Sequence, residues 1–125
     1  MATKISTNNA PAAIGPYSQA IVAGDFLFAS GQIPINPATG NVEATDITGQ
    51  AEQSMENVGA ILEAAGASYD KVVKTTCFLA DIADFAAFNE VYAKYFTQNP
   101  ARSCVAVKDL PKGVLCEVEV TAYLK

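Results

Sequence analysis

Arginine occurs once in this chain of 125 residues, at position 102, against seven lysines. It opens the run RSCVAV, and the next strand-like run, VLCEVEVTAYL, carries Glu117 and Glu119 among alternating valines. A guanidinium is a planar fork that grips a carboxylate through two parallel hydrogen bonds, a task that lysine performs poorly. A carboxylate beside it can orient a water molecule and take a proton from it. If the intervening KDLPKG closes a hairpin, Cys104 lies opposite Glu117 and Arg102 opposite Glu119, and all four side chains share one face. Two readings of that cluster stand side by side. One is a cross-strand ion pair that fixes register, contributing about 0–1 kcal/mol if exposed. The other is a site for a carboxylate-bearing ligand, for which the argument is that a plain surface charge could have been a lysine.

Other chemistries are excluded by what the chain lacks. With no histidine and no tryptophan, the Ser/His/Asp and Cys/His arrangements, the usual zinc and haem ligand sets and an imidazole base are all absent. Cys77, Cys104 and Cys116 are odd in number and sit inside strand-like runs at no metal-ligand spacing, which predicts reduced thiols and no metal site. Cys104 reads as a small buried hydrophobe before it reads as a nucleophile. Tyr17, after Gly15-Pro16, reads as a packed aromatic before it reads as a ligand wall, and Ser30-Gly31-Gln32 is a weak signal for backbone N–H groups open to an anion.

The net charge is −5 with no lysine-rich stripe, which argues against nucleic acid as a partner. No apolar stretch approaches the roughly 20 residues of a membrane helix, and positions 1–9 lack the charged-then-apolar pattern of an export signal. A cytoplasmic protein without a membrane partner is the expectation. Apolar residues make up 50% of the chain and charged ones 17%, an apolar excess that predicts an oligomer.

The elements that must hold these residues follow from period and punctuation. Two β-rich runs, 17–23 and 26–30, flank the two-residue turn Gly24-Asp25 as a hairpin. The preceding NAPAAIGPYS reads as an ordered loop, and GQIPINPATGN as a loop with turns. Apolar residues at 47, 51, 55, 58, 62 and 65 mark one face of a helix, with Asp46 to cap its start and Gly66 its end. KVVKTTCFLA is a largely buried strand. Helical spacing returns through Phe85, Phe88, Tyr92 and Tyr95 after a cap at Asp81, and Pro100 stops that helix and biases Asn99 to an extended conformation. The sum is one domain over 1–125, an α+β layer in the order β-β-α-β-α-β-β with both helices on one side of a mixed sheet.

The blocks NAPAAIGPYSQA, FASGQIPINPATG, QAEQSMENVGAILEAAGAS and PARSCVAVKDLPKGVLCEVEV together resemble the YjgF/RidA family, the reactive intermediate (enamine/imine) deaminases, over nearly the whole chain. The resemblance implies a chorismate-mutase-like fold, a homotrimer with a ligand cleft between neighbouring subunits, and no cofactor or metal. It implies 2-aminoacrylate-type enamines and 2-imino acids as substrates, hydrolysed to 2-keto acids and ammonia. Carried onto this sequence, the motif arginine is Arg102, the cysteine whose backbone faces the ligand is Cys104, and the carboxylate is Glu117. Tyr17, Ser30, Gly31 and Asn89 match the remaining cleft positions. The segment YFTQNPARS is several residues shorter than in such proteins. Rival readings within the same fold are a chorismate mutase, whose dianionic substrate wants more cations than one arginine, and RNA cleavage, which the acidic composition disfavours. A non-catalytic module that binds small carboxylates would keep Arg102 and have no need of Glu117.

Overall fold

The computed structural model describes residues 2–125. Their order is β1 (Thr3–Ile5), β2 (Ala20–Ala23), β3 (Phe26–Ala29), α1 (Ile47–Ala64), β4 (Val72–Leu79), α2 (Phe85–Tyr95), β5 (Ala101–Ala106) and β6 (Cys116–Tyr123). Two helices on a mixed sheet form as the patterning predicts. The short edge strand β1 was not anticipated, because three residues are too few to show a period.

Both helix ends use the expected residues. The Asp46 carboxylate accepts the Gly49 N–H at 2.9 Å. At the other end Gly66 turns with a φ of 75°, while the N–H groups of Gly66 and Ala67 reach back to the carbonyls of Glu63 and Leu62 at 2.9 and 2.8 Å. Asp81 differs from expectation: it accepts the Ala83 N–H and so caps a 3-10 turn, Ile82–Asp84, that leads into α2. Asn99 also departs from the extended form, with a φ of 53°. Only five residues, 96–100, carry the chain from the end of α2 into β5. Asparagine is among the few side chains that tolerate the left-handed turn this requires.

The sheet order is β1-β2-β3-β6-β4-β5. All neighbours are antiparallel except β4 and β5, which are parallel. The β2–β3 hairpin pairs Ala23 with Phe26 as its turn dictates. The hairpin expected between the last two strands does not form, because β4 lies between them. The physical reason is the helix that joins β4 to β5: a strand, a crossover helix and a second strand place the two strands parallel and side by side. β6 is then left to pair with the far edge of β4.

One face of the sheet is closed by the helices. Cys116, Val118, Val120 and Ala122 of β6 pack in one buried cluster with Cys77 and Leu79 of β4, Met55, Val58, Ile61 and Leu62 of α1, and Phe88 and Val91 of α2. Each large apolar side chain fully buried there contributes about 1.5–3 kcal/mol. The opposite face carries no layer in the single chain. Phe26, Phe28, Val105 and Tyr123 are 40–50% exposed there, and Phe26 stacks obliquely on Tyr123 at 5.3 Å. No helix among the described residues is long and apolar enough to cross a membrane.

Candidate active site

Arg102 sits on β5 opposite Thr75, which is itself opposite Val120, so its side chain rises on the helix side of the sheet. There α2 presents Phe85, Asn89 and Tyr92, residues spaced at i, i+4 and i+7 that form one stripe. The guanidinium carbon lies 4.7 Å from the centre of the Tyr92 ring and 5.4 Å from that of Phe85. Nη1 donates to Asn89 Oδ1 at 2.6 Å. Tyr92 is in turn fixed by a 2.8 Å hydrogen bond between its hydroxyl and that of Thr75, a residue fully buried in the sheet. Ring faces and an amide thus hold the fork, and the stacking contributes about 0.5–2 kcal/mol. No carboxylate among the described residues is within ion-pair distance of Arg102; the ion pair among those residues is an exposed one elsewhere, Lys125 with Asp25 at 3.8 Å. The reading of Arg102 as a cross-strand ion pair therefore fails, and the guanidinium keeps donors for a ligand.

Glu117 and Glu119 pair with Phe78 and Thr76, on the open side of the sheet. This overturns the expectation that Arg102, Cys104, Glu117 and Glu119 share one face. With β4 inserted, Cys104 is opposite Cys77 and Arg102 opposite Thr75. The signal that could have found this was the helix between KVVKTTCFLA and RSCVAV, which makes a parallel pair out of two strands the chain places far apart.

The carboxylate of Glu117 has its own setting. Gln32 exchanges two backbone hydrogen bonds with Val118, at 2.7 and 3.1 Å, and this lays Gly31 directly against Glu117. A Cβ at position 31 would overlap the carboxylate, so a larger residue there would push the Glu117 side chain out of this position. Burial, with the neighbouring Glu119 charge as a second cause, pushes the Glu117 carboxyl above the ordinary carboxylate range. Tyr17 and Gly31 line a cavity of about 320 Å³ together with Pro11, Ile14 and Ile33. Ser30 has a different job from the one expected: its hydroxyl donates to the Ser18 carbonyl at 2.7 Å and its N–H to that of Gln19 at 2.9 Å, tying the end of β3 to the segment that leads into β2.

The described chain thus gathers its candidate residues into two groups. Arg102, Asn89 and Cys104 lie on the helix side at the outer strand β5. Tyr17, Ser30, Gly31 and Glu117 lie together at the other side. Phe85 and Tyr92 were read in the sequence as helix face and proved to be the bed of the arginine. Two buried amides also escaped notice. Asn57 of α1 donates to the carbonyls of Ile33 and Ile35 at 3.1 and 2.9 Å, and Gln19 bonds Thr7, Ala10 and Pro11. Each buckles a loop that carries the second group. A polar residue beside an apolar helix stripe, as Asn57 is beside Val58, was the only sequence signal for the first, and Gln19, just before β2, gave none.

The cysteines are poor nucleophiles. Burial pushes the Cys77 and Cys116 thiols up to about 12, and it raises Cys104 as well, although Arg102 pulls the other way. No group of three or more histidine, cysteine or acidic side chains that could hold a metal ion occurs among the described residues.

Comparison with known proteins converges on one group. The family model described as endoribonuclease L-PSP matches residues 7–124. A RutC family protein from Pyrococcus horikoshii is 58% identical over 120 residues, 95% of each chain. The 2-iminobutanoate/2-iminopropanoate deaminase of Escherichia coli is 52% identical over 126 residues, 98% of each chain. The crystal structure of Escherichia coli TdcF with bound serine matches with a TM-score of 0.95 at 46% identity, over 98% of this chain and 99% of that one.

Proposed function

The chain belongs to the endoribonuclease L-PSP family, the YjgF/RidA family that its motifs resemble, and on that premise we propose that it hydrolyses 2-aminoacrylate-type enamines and their 2-imino acids, 2-iminobutanoate and 2-iminopropanoate among them, to 2-keto acids and ammonia. The observation that carries this reading is Arg102, stacked on Tyr92, pinned by Asn89 and without a carboxylate of its own among the described residues. A 2-imino acid brings that carboxylate, placed next to a C=N carbon. Serine bound in the related TdcF structure supports a site for small carboxylates, and the net charge of −5 favours a small acid over a polyanion such as RNA.

In the reaction, Arg102 holds the substrate carboxylate and so fixes the C=N carbon. Water adds to that carbon while Glu117 takes its proton. With the imine entering as its iminium form this gives a neutral aminoalcohol; Glu117 then returns the proton to nitrogen, and ammonia leaves as the C=O bond forms and the hydroxyl proton passes back to Glu117. Backbone groups of β5 around Cys104 and of Gly31 supply fixed dipoles to the polar intermediate. Such imines already hydrolyse in water, so a held carboxylate and one base suffice, without histidine, metal or cofactor.

Arg102 and Glu117 leave opposite sides of one sheet, so the site is composite. One protomer supplies Arg102 and its neighbour supplies Glu117, in a homotrimer whose assembly also covers Phe26, Phe28, Val105 and Tyr123. The whole chain, 1–125, acts as one domain of a cytoplasmic enzyme. Light scattering should give a mass near three times the 13.1 kDa chain; a clean monomer at micromolar concentration would remove the composite cleft.

The function is tested by generating 2-iminobutanoate from threonine with a dehydratase and trapping what survives with semicarbazide. Added protein should shorten the lifetime of the imine. Binding of 2-ketobutanoate without any acceleration would instead identify a carboxylate-binding module. In the same assay Cys104→Ala should keep most of the activity, since the backbone groups remain and only a partly buried thiol is lost. An inactive Cys104→Ala that binds 2-ketobutanoate normally would point to thiol chemistry.

A further inference from the structure

The buried residues of β4 are Val72, Thr75, Cys77 and Leu79, and Thr75 is the one with a hydroxyl. It stands between Arg102 on β5 and Val120 on β6, with nothing of it exposed. Valine has the same branched shape and suits such a place better, because a buried hydroxyl must find a partner. The partner here comes from α2: the Thr75 and Tyr92 hydroxyls meet at 2.8 Å, and Tyr92 is itself 8% exposed. Burial raises the Tyr92 phenol above its ordinary pKa, so its hydroxyl stays protonated and serves as an anchor rather than an acid.

A pair of this kind adds little to stability. Replacing both hydroxyls by apolar groups of the same shape is nearly neutral for the fold, whereas removing one strands the other in the core. Valine at 75 and phenylalanine at 92 would fill the same space. They would not fix the ring. The centre of the Tyr92 ring lies 4.7 Å from the guanidinium carbon, and Asn89, which accepts from Nη1 at 2.6 Å, sits one helical turn before it. The hydroxyl pair ties that turn of α2 to the strand beside Arg102, so ring, amide and fork keep one relative setting. We propose that Thr75 is a positioning residue, which acts through Tyr92 to set the direction in which Arg102 presents its free donors, and so sets the affinity for the substrate carboxylate. The proposal rests on the imine reading above. A two-point grip needs both N–H groups in the plane of the carboxylate, and hydrogen bonds weaken steeply with angle. A guanidinium that rocks on an unanchored ring keeps its charge and loses that alignment. Because the carboxylate is held in the ground state and the transition state alike, the loss falls on KM.

The test pairs two variants whose effects on stability and on binding should run in opposite senses. Each is measured by its melting temperature, its kcat and KM on 2-iminobutanoate, and calorimetric binding of 2-ketobutanoate. The double variant Thr75→Val/Tyr92→Phe orphans no polar group, so its melting temperature should stay close to wild type. Its KM and its dissociation constant should rise by about fivefold or more, with kcat within about twofold. Thr75→Ser keeps the hydroxyl but loses a buried methyl, so it should melt lower and keep KM within about twofold of wild type. A double variant that binds and turns over like wild type would overturn the proposal, as would one whose loss lies in kcat. So would losses of binding that track the melting temperature across both variants, the pattern of a merely structural threonine. If the wild type hydrolyses no imine, yet 2-ketobutanoate binding weakens in the double variant and not in Thr75→Ser, the positioning role stands and the enzyme reading falls.

Discussion

Arg102→Lys should lower kcat/KM for 2-iminobutanoate by about 10²-fold or more, with most of the loss in KM and the fold intact. Lysine keeps the charge but cannot offer two coplanar donors, so one charge-assisted hydrogen bond of about 1.5–3 kcal/mol disappears. It also loses the flat contact with Tyr92 and Phe85 and the fixed bond to Asn89, which together pre-set the direction of the fork. The carboxylate is held in the ground state as well as in the transition state, which is why binding suffers more than turnover. Circular dichroism and the melting temperature should stay close to wild type, because the site is at the sheet's outer strand and no carboxylate is orphaned by the change. A lysine variant running at the wild-type rate would remove the two-point grip from the account.

Glu117→Gln should show the reverse split and a second, less usual effect. The amide keeps the shape beside Gly31 but cannot take a proton from water, so kcat should fall by about 10²-fold or more, with 2-ketobutanoate binding largely preserved. The same change should raise the melting temperature at neutral pH. Burial and Glu119 hold the folded carboxyl above its unfolded pKa, so the native state favours the protonated form. Its contribution to stability is present at low pH and is lost as the pH rises through the folded value. At pH 7 the wild type carries that cost and glutamine does not; the gap should close as the pH falls below the unfolded carboxylate range of about 4. In the wild type, kcat/KM should decline on the acid side as Glu117 becomes protonated. A glutamine variant that is both active and less stable than wild type would sink this assignment.

Much of this architecture could be read from the chain because it depends on neighbours in sequence. The β2–β3 turn at Gly24-Asp25, the α1 caps at Asp46 and Gly66, and the alternation of β6 are local, and each is found where the pattern puts it. What could not be read was non-local. Pairing Cys104 with Glu117 assumed that consecutive strands are adjacent, whereas the α2 crossover sends β5 to the outside and gives β6 the inner place. The singular arginine stands out in the sequence, and the structure leaves its guanidinium without a carboxylate partner among the described residues. Its surroundings depended on which stripe of α2 faces down, and Tyr92 looks the same in sequence whether it packs against a valine or beneath a guanidinium. The buckling amides Gln19 and Asn57 are of the same sort, since burial alone separates them from surface residues.

The placement of Arg102 and Glu117 on opposite sides of one sheet has a consequence for inheritance. In the ring of three proposed above, each site would take its arginine from one protomer and its glutamate from the next. Two defective alleles, one encoding Arg102→Lys and one Glu117→Gln, should complement each other when co-expressed. A working site forms wherever a Glu117→Gln protomer lends its arginine to an Arg102→Lys protomer, which random equal mixing produces at about one interface in four. The double mutant should show no such rescue. Neither allele should be dominant over wild type, since equal co-expression leaves about half the interfaces whole. A heterozygous cell would then lose imine-clearing capacity in proportion to the dose of the defective gene.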